Sequence, residues 1–148
     1  MSEKAQSNCC SGGGSLPVME VVYDRNVHTV AYHHPLKQEI SLEGCSAFGG
    51  QGADLNPIDL LVMGVGSCML IVMGKTAETE NIDIVGAKTV VSYELANYQI
   101  AAINVDFFIP GKLSPEEQSK LEAASQKCPV YLALSPSVKV TLKYCWGE

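Results

Sequence analysis

The sequence predicts an α+β fold, and three observations carry that expectation. Residues 60–74 form a run of 15 without a charge, and a helix that is apolar all round must be buried all round. Segments on either side alternate apolar and polar side chains with a period of two, as half-buried strands do. The order that results is three strands, a buried helix, two strands, a helix and a strand. Strands and helices do not alternate regularly, which excludes a doubly wound parallel sheet.

The elements follow from local chemistry, taken in chain order. Residues 1–15, MSEKAQSNCCSGGGS, read as a flexible tail, and residues 16–148 as a single domain. A first strand spans 18–23, Asp24-Arg25-Asn26 is turn chemistry, and a returning strand runs over 28–33. A third strand covers 38–42 after the break at Pro35. Residues 44–55, GCSAFGGQGADL, form a glycine-rich loop with too few apolar residues to pack alone. No GxxxxGK[ST] pattern occurs in it, so it is not a phosphate loop.

The central helix starts at Asn56, an N-cap, with Pro57 at the first helical position, where its missing N–H costs nothing. It continues in more polar form to about Glu78, before Asn81. Strands are expected over 84–95 and 99–109, separated by a turn at Ala96-Asn97-Tyr98. Ser114, Pro115 and Glu117 spell an N-cap, an N1 proline and a capping box. That second helix is expected to end near Lys127, since Cys128 precedes Pro129 and the residue before proline avoids helical angles. Residues 131–134 make a short apolar segment, and 138–145 a final alternating strand.

Composition narrows the function. The chain is 47% hydrophobic and 18% charged, with a net charge of −6 from nine lysines, one arginine and 16 acidic residues. It therefore has no basic footprint for nucleic acid. The uncharged run falls short of the roughly 20 residues that span a bilayer, so no membrane partner is expected. The N-terminus lacks the apolar core of a secretory signal, which makes the cytoplasm the expected location. A chain of 148 residues cannot easily cover every side of a wholly apolar helix. A two-fold dimer that buries two such helices together would do so.

Six cysteines, at 9, 10, 45, 68, 128 and 145, form no CxxC pair and no zinc spacing. Cys9 and Cys10 could hold a metal with His33 and His34, though such tails are ordinarily disordered. Cys68 sits in mid-helix, with Gly64 one turn before it leaving an opening over the sulfur. As a small buried hydrophobe it would be inert; as a reactive thiol it needs a cation, and Arg25 is the only arginine. Cys128 follows the C-terminal end of a helix, where the partial negative charge disfavours a thiolate. That setting suits either simple packing or a second thiol that condenses with a sulfenic acid on Cys68. Cys45, in the glycine-rich loop, reads either as an exposed, modifiable thiol or as structural, Cys145 as packing, and His28, His33 and His34 as surface or edge residues.

The pattern NPIDLLVMGVGSC, followed some sixty residues later by KCPV, resembles the OsmC/Ohr family of thiol-dependent peroxidases. The resemblance runs from about Val18 to the end of the chain. It implies antiparallel sheets wrapped around a long central helix in an intertwined homodimer, with active sites at the subunit interface. Position by position, Cys68 takes the peroxidatic place, Cys128 the resolving place, and Arg25 that of the arginine that steadies the thiolate. The expected partners are a small-molecule hydroperoxide and an external dithiol reductant, with no metal or prosthetic group. Organic hydroperoxide reductases of the family carry glutamate straight after Asn-Pro; here Ile58 stands there and Asp59 follows. That feature resembles the uncharacterised OsmC-like branch, and it admits a second reading. In that reading the protein binds a small apolar or thiol-bearing ligand at the dimer interface without turnover.

Overall fold

The computed structural model describes residues 18–147; the expected tail, with Cys9 and Cys10, lies outside them. The chain falls into two compact units, one ending at Asp59 and one starting at Leu60.

The first unit is a three-stranded antiparallel sheet of β1 (Met19–Tyr23), β2 (His28–His33) and β3 (Gln38–Glu43), in that order. The β1–β2 turn has Asn26 and Val27 in the left-handed region, at φ 53° and 55°, and the His28 amide donates to the Arg25 carbonyl at 3.0 Å. Two successive left-handed residues give the mirror-image turn whose twist suits a hairpin. Val27 is unusual there, because a β-branched side chain is strained at positive φ. Register places Met19, Val21, Tyr23, Ala31, Ile40 and Leu42 on one face of the sheet. Of these, Met19, Val21, Tyr23 and Ile40 are exposed.

The loop after β3 is organised by a carboxylate. Glu43 is buried, and its oxygens accept the amides of Gln51 at 3.1 Å and Asp54 at 3.0 Å. These bonds hold its carboxyl below the usual glutamate value. A parallel bridge between Leu42 and Leu55 closes the loop.

Helix α1 (Pro57–Glu80) starts in the first unit and runs through the second. Asn56 caps it as expected, its Oδ1 accepting the Ile58 amide at 2.8 Å. Asp59 completes the cap by accepting the Asn56 amide at 3.3 Å. Burial departs from the all-round expectation. Val62, Val65, Gly66, Met69, Met73 and Ala77 form one buried stripe, whereas Leu61, Met63 and Ile71 are exposed. One sheet covers one side of a helix, and the rest of this apolar surface is left open. By length and composition α1 would also suffice to cross a membrane, longer than its uncharged run suggested, but its buried stripe marks it as the core helix.

The second unit packs that stripe on a sheet of order β4-β5-β6: β4 (Lys88–Ala96), β5 (Gln99–Ile109) and β6 (Lys139–Trp146). Gly66 permits the contact, since a Cβ there would stand 2.5 Å from Val91 Cγ1 and 3.1 Å from Thr89 Oγ1. Ile103, Val105, Phe107 and Ile109 alternate along β5, all fully buried. β4 begins at Lys88 rather than near 84, because Asp83 Oδ1 accepts the Val85 amide at 2.9 Å and Gly86 turns the chain at φ 91°.

β4 and β5 are antiparallel, but β5 and β6 are parallel, with Val105 opposite Leu142 and Phe107 opposite Tyr144. This sheet is therefore mixed, not antiparallel throughout. A parallel neighbour requires a long crossover, and α2 (Pro115–Ser125) with α3 (Pro129–Leu132) supplies it. The Ser114–Glu117 capping box is present. α2 ends at Ser125, two residues earlier than expected, and the first half of the short apolar segment expected over 131–134 belongs to the single turn α3.

Candidate active site: a thiol pair

Two elements of the second unit deliver the two sulfurs. Cys68 rides on α1, fixed in azimuth by the Gly66 contact two residues earlier. Cys128 is the N-cap of α3, with φ −64° and ψ 126°, and its Sγ accepts the Tyr131 amide at 3.4 Å. Cys128 is fully buried and Cys68 half-buried. Cys68 is a near neighbour of Cys128, close enough to act on its thiol. Both cysteines singled out in the sequence thus meet across the packed layers of one unit.

Burial, first, and then contact with Cys68 push the Cys128 thiol up, while the amides of Tyr131 and Val130 pull it down. The sequence suggested the negative end of the preceding helix as the cause. The structure adds the opposite influence of α3, which is outweighed by desolvation. Above the opening noted at Gly64, a Cβ would meet nothing within 4 Å, so this side of the Cys68 turn is open.

Arg25 belongs to the first unit. Its side chain is 79% exposed on the hairpin turn, with Nε 3.6 Å from Asp24 Oδ1. The histidines have structural partners: His28 Nε2 lies 3.2 Å from Asp54, His33 Nδ1 accepts the Leu36 amide at 3.2 Å, and His34 pairs with Glu20 at 2.8 Å. Among the described residues no three His, Cys, Asp or Glu side chains cluster to hold a metal ion.

Sequence reasoning missed a polar pair beside the thiols. Ser125, fully buried at the end of α2, lies 2.7 Å from the Tyr144 hydroxyl of β6. A tyrosine on the inward register of a strand is a detectable signal, but its partner depends on the parallel pairing of β5 and β6.

Comparison with known proteins agrees with this architecture. The family model of the OsmC-like proteins matches residues 50–143. A crystal structure from Psychrobacter arcticus 273-4, described as an osmotic stress induced and detoxification response protein, superposes with a TM-score of 0.82. It is 23% identical, covering 90% of this chain and 99% of that one. The organic hydroperoxide resistance protein OsmC of Legionella pneumophila gives 0.70 at 20% identity, covering 88% and 97%. An uncharacterised protein of Methanocaldococcus jannaschii is 30% identical over 98 residues, 62% of this chain. The chain spans about half the length of that curated relative, 52%. On the family match and the shared fold, this chain belongs to the OsmC-like protein family.

Proposed function

We propose that the protein is a thiol-dependent peroxidase that reduces organic hydroperoxides. The observation that carries this reading is the half-buried free Cys68 thiol beside the fully buried free Cys128 thiol. The Legionella neighbour, named for organic hydroperoxide resistance, supports the substrate class. The Cys68 thiolate attacks the distal oxygen of ROOH and the O–O bond breaks. The alkoxide takes a proton and leaves as ROH, and Cys68 is left as a sulfenic acid.

Cys128 then attacks the sulfenic sulfur. The S–S bond forms, and hydroxide leaves as water with the Cys128 proton. The raised Cys128 value keeps its proton in place while Cys68 does the first attack. Burial, the largest cause of the raised Cys128 value, persists after the first step; loss of the Cys68 charge removes a smaller one, and the α3 amides act the other way. An external dithiol enters at the Cys68 sulfur, because Cys128 is buried. Cys128 departs as a thiolate, and the second thiol of the reductant displaces Cys68. Arg25, the only arginine in the sequence, is the residue this reading assigns to steadying the thiolate. The cytoplasm suits a cycle that starts from reduced thiols.

A homodimer belongs to the same proposal. Leu61, Met63 and Ile71 on α1 and Met19, Val21 and Tyr23 on β1 are large apolar side chains left exposed, and a second copy would cover them. An apolar pocket between subunits would favour the organic tail of a hydroperoxide.

The test is steady-state consumption of tert-butyl hydroperoxide with dithiothreitol. Cys68→Ser should lower the rate at least about 100-fold, the order of a lost nucleophile. Equal slow rates for wild type and variant would refute the enzyme and favour the ligand-binding reading. Ile58 in place of glutamate, with Asp59 engaged in capping α1, is the observation that favours that second reading.

A further inference from the structure

We infer that Tyr144 and Ser125 are positioning residues for Cys128, setting how readily its sulfur closes on Cys68. This deepens the thiol-pair reading and rests on it. Ser125 Oγ has one proton and two neighbours, the Glu122 carbonyl at 2.8 Å and the Tyr144 hydroxyl at 2.7 Å. The serine proton goes to the carbonyl, so Tyr144 donates to Ser125. Burial raises the Tyr144 value, which keeps the phenol a neutral donor.

Each end of this link is anchored. The Tyr144 ring stacks on fully buried Phe107 at 4.7 Å and 16°, and on Trp146 at 6.0 Å and 11°. Ser125 is the last residue of α2, whose Leu121 is fully buried. From there one turn reaches the sulfur: the Ser125 carbonyl accepts the Cys128 amide at 3.4 Å, and Cys128 then caps α3. That bond is long, but Lys127 N–H also donates to the Ala124 carbonyl at 3.0 Å, so the turn that carries Cys128 hangs from the end of α2. Its position is inherited from where the sheet holds Ser125. In this structure both sulfurs are free thiols, whereas a disulfide requires them to close to about 2.05 Å. The anchor determines how often Cys128 samples that closure, which is an effective concentration.

The experiment is equilibration of the full-length protein with reduced and oxidised dithiothreitol, scored by the Cys68–Cys128 disulfide. Tyr144→Phe keeps the ring stack and removes the hydroxyl, which Gln126 also faces; Ser125→Ala removes the acceptor. Each should lower the effective molarity of the dithiol about 5- to 10-fold, the scale of one buried hydrogen bond, and the double variant should fall no further. In a Cys128→Ser background, Tyr144→Phe should leave the iodoacetamide rate of Cys68 unchanged, which a general loosening of the unit would not. Single variants within twofold of wild type, or a parallel change in Cys68 alkylation, would overturn the inference. A wild type that forms no Cys68–Cys128 disulfide overturns the underlying pairing itself, a separately visible result.

Discussion

The two sheets of this chain solve burial differently. In the second unit every inward residue of β5 from Ile103 to Ile109 is fully buried, and α1 approaches closely enough that position 66 must be glycine. In the first unit the sheet gathers Met19, Val21, Tyr23, Ala31, Ile40 and Leu42 on one face, yet only Leu42 is buried. Beside Leu42 its buried residue is polar, the Glu43 carboxylate collecting loop amides. One unit holds a core of its own and carries the thiols. The other presents apolar surface on its sheet.

The largest effect should come from the finished core. Phe107→Ala removes a ring that touches Tyr144 and should cost about 3–5 kcal/mol, measured by urea unfolding. A loss below about 1 kcal/mol would break the contrast between the units. Val21→Asp probes the open face. If a second copy covers it, burying an unpaired charge should cost several-fold or more in dimer affinity, read by sedentimentation equilibrium in the form of a shifted monomer–dimer balance. An unchanged assembly state would leave that face as solvent-exposed surface.

The smallest effect concerns Glu43. Its folded value lies below the ordinary 4.5, so the protonated form is more abundant in the unfolded chain. The stability it adds is present above that ordinary value and is lost as pH falls through the lowered one. Glu43→Gln should therefore be less stable than wild type at neutral pH, with the difference narrowing towards acid. Amide exchange at Gln51 and Asp54 should speed up over the same range in wild type. A pH-independent gap between the two proteins would remove Glu43 as the organiser of this loop.

Much of this was legible in the residues. Alternation found six strands, and Ser114-Pro115-Glu117 gave the start of α2 because capping is a local code. Cys68 and Cys128 were singled out by composition and motif. Less legible were features that depend on distant partners. The parallel place of β6 cannot be read from an alternation that either orientation would satisfy. Cys128 as a cap was hidden because α3 is one turn long and thiols are weak acceptors. Asp59 looked like a displaced acid, whereas its N3 position opposite Asn56 makes it part of the helix start. Glu43 drew no expectation from the sequence, since nothing local shows that backbone amides eight and more residues later will return to it.

The parallel pairing of β5 and β6 also orders events in time. β4 and β5 join through a tight turn at Asn97 and Tyr98, a contact that a nascent chain can make early. β6 must wait for the whole crossover to close, and such long-range closure is entropically slow. Cys128 travels on that crossover, so a chain halted at the hairpin stage has no second sulfur beside Cys68. Formation of the thiol pair is thereby a marker of completed folding.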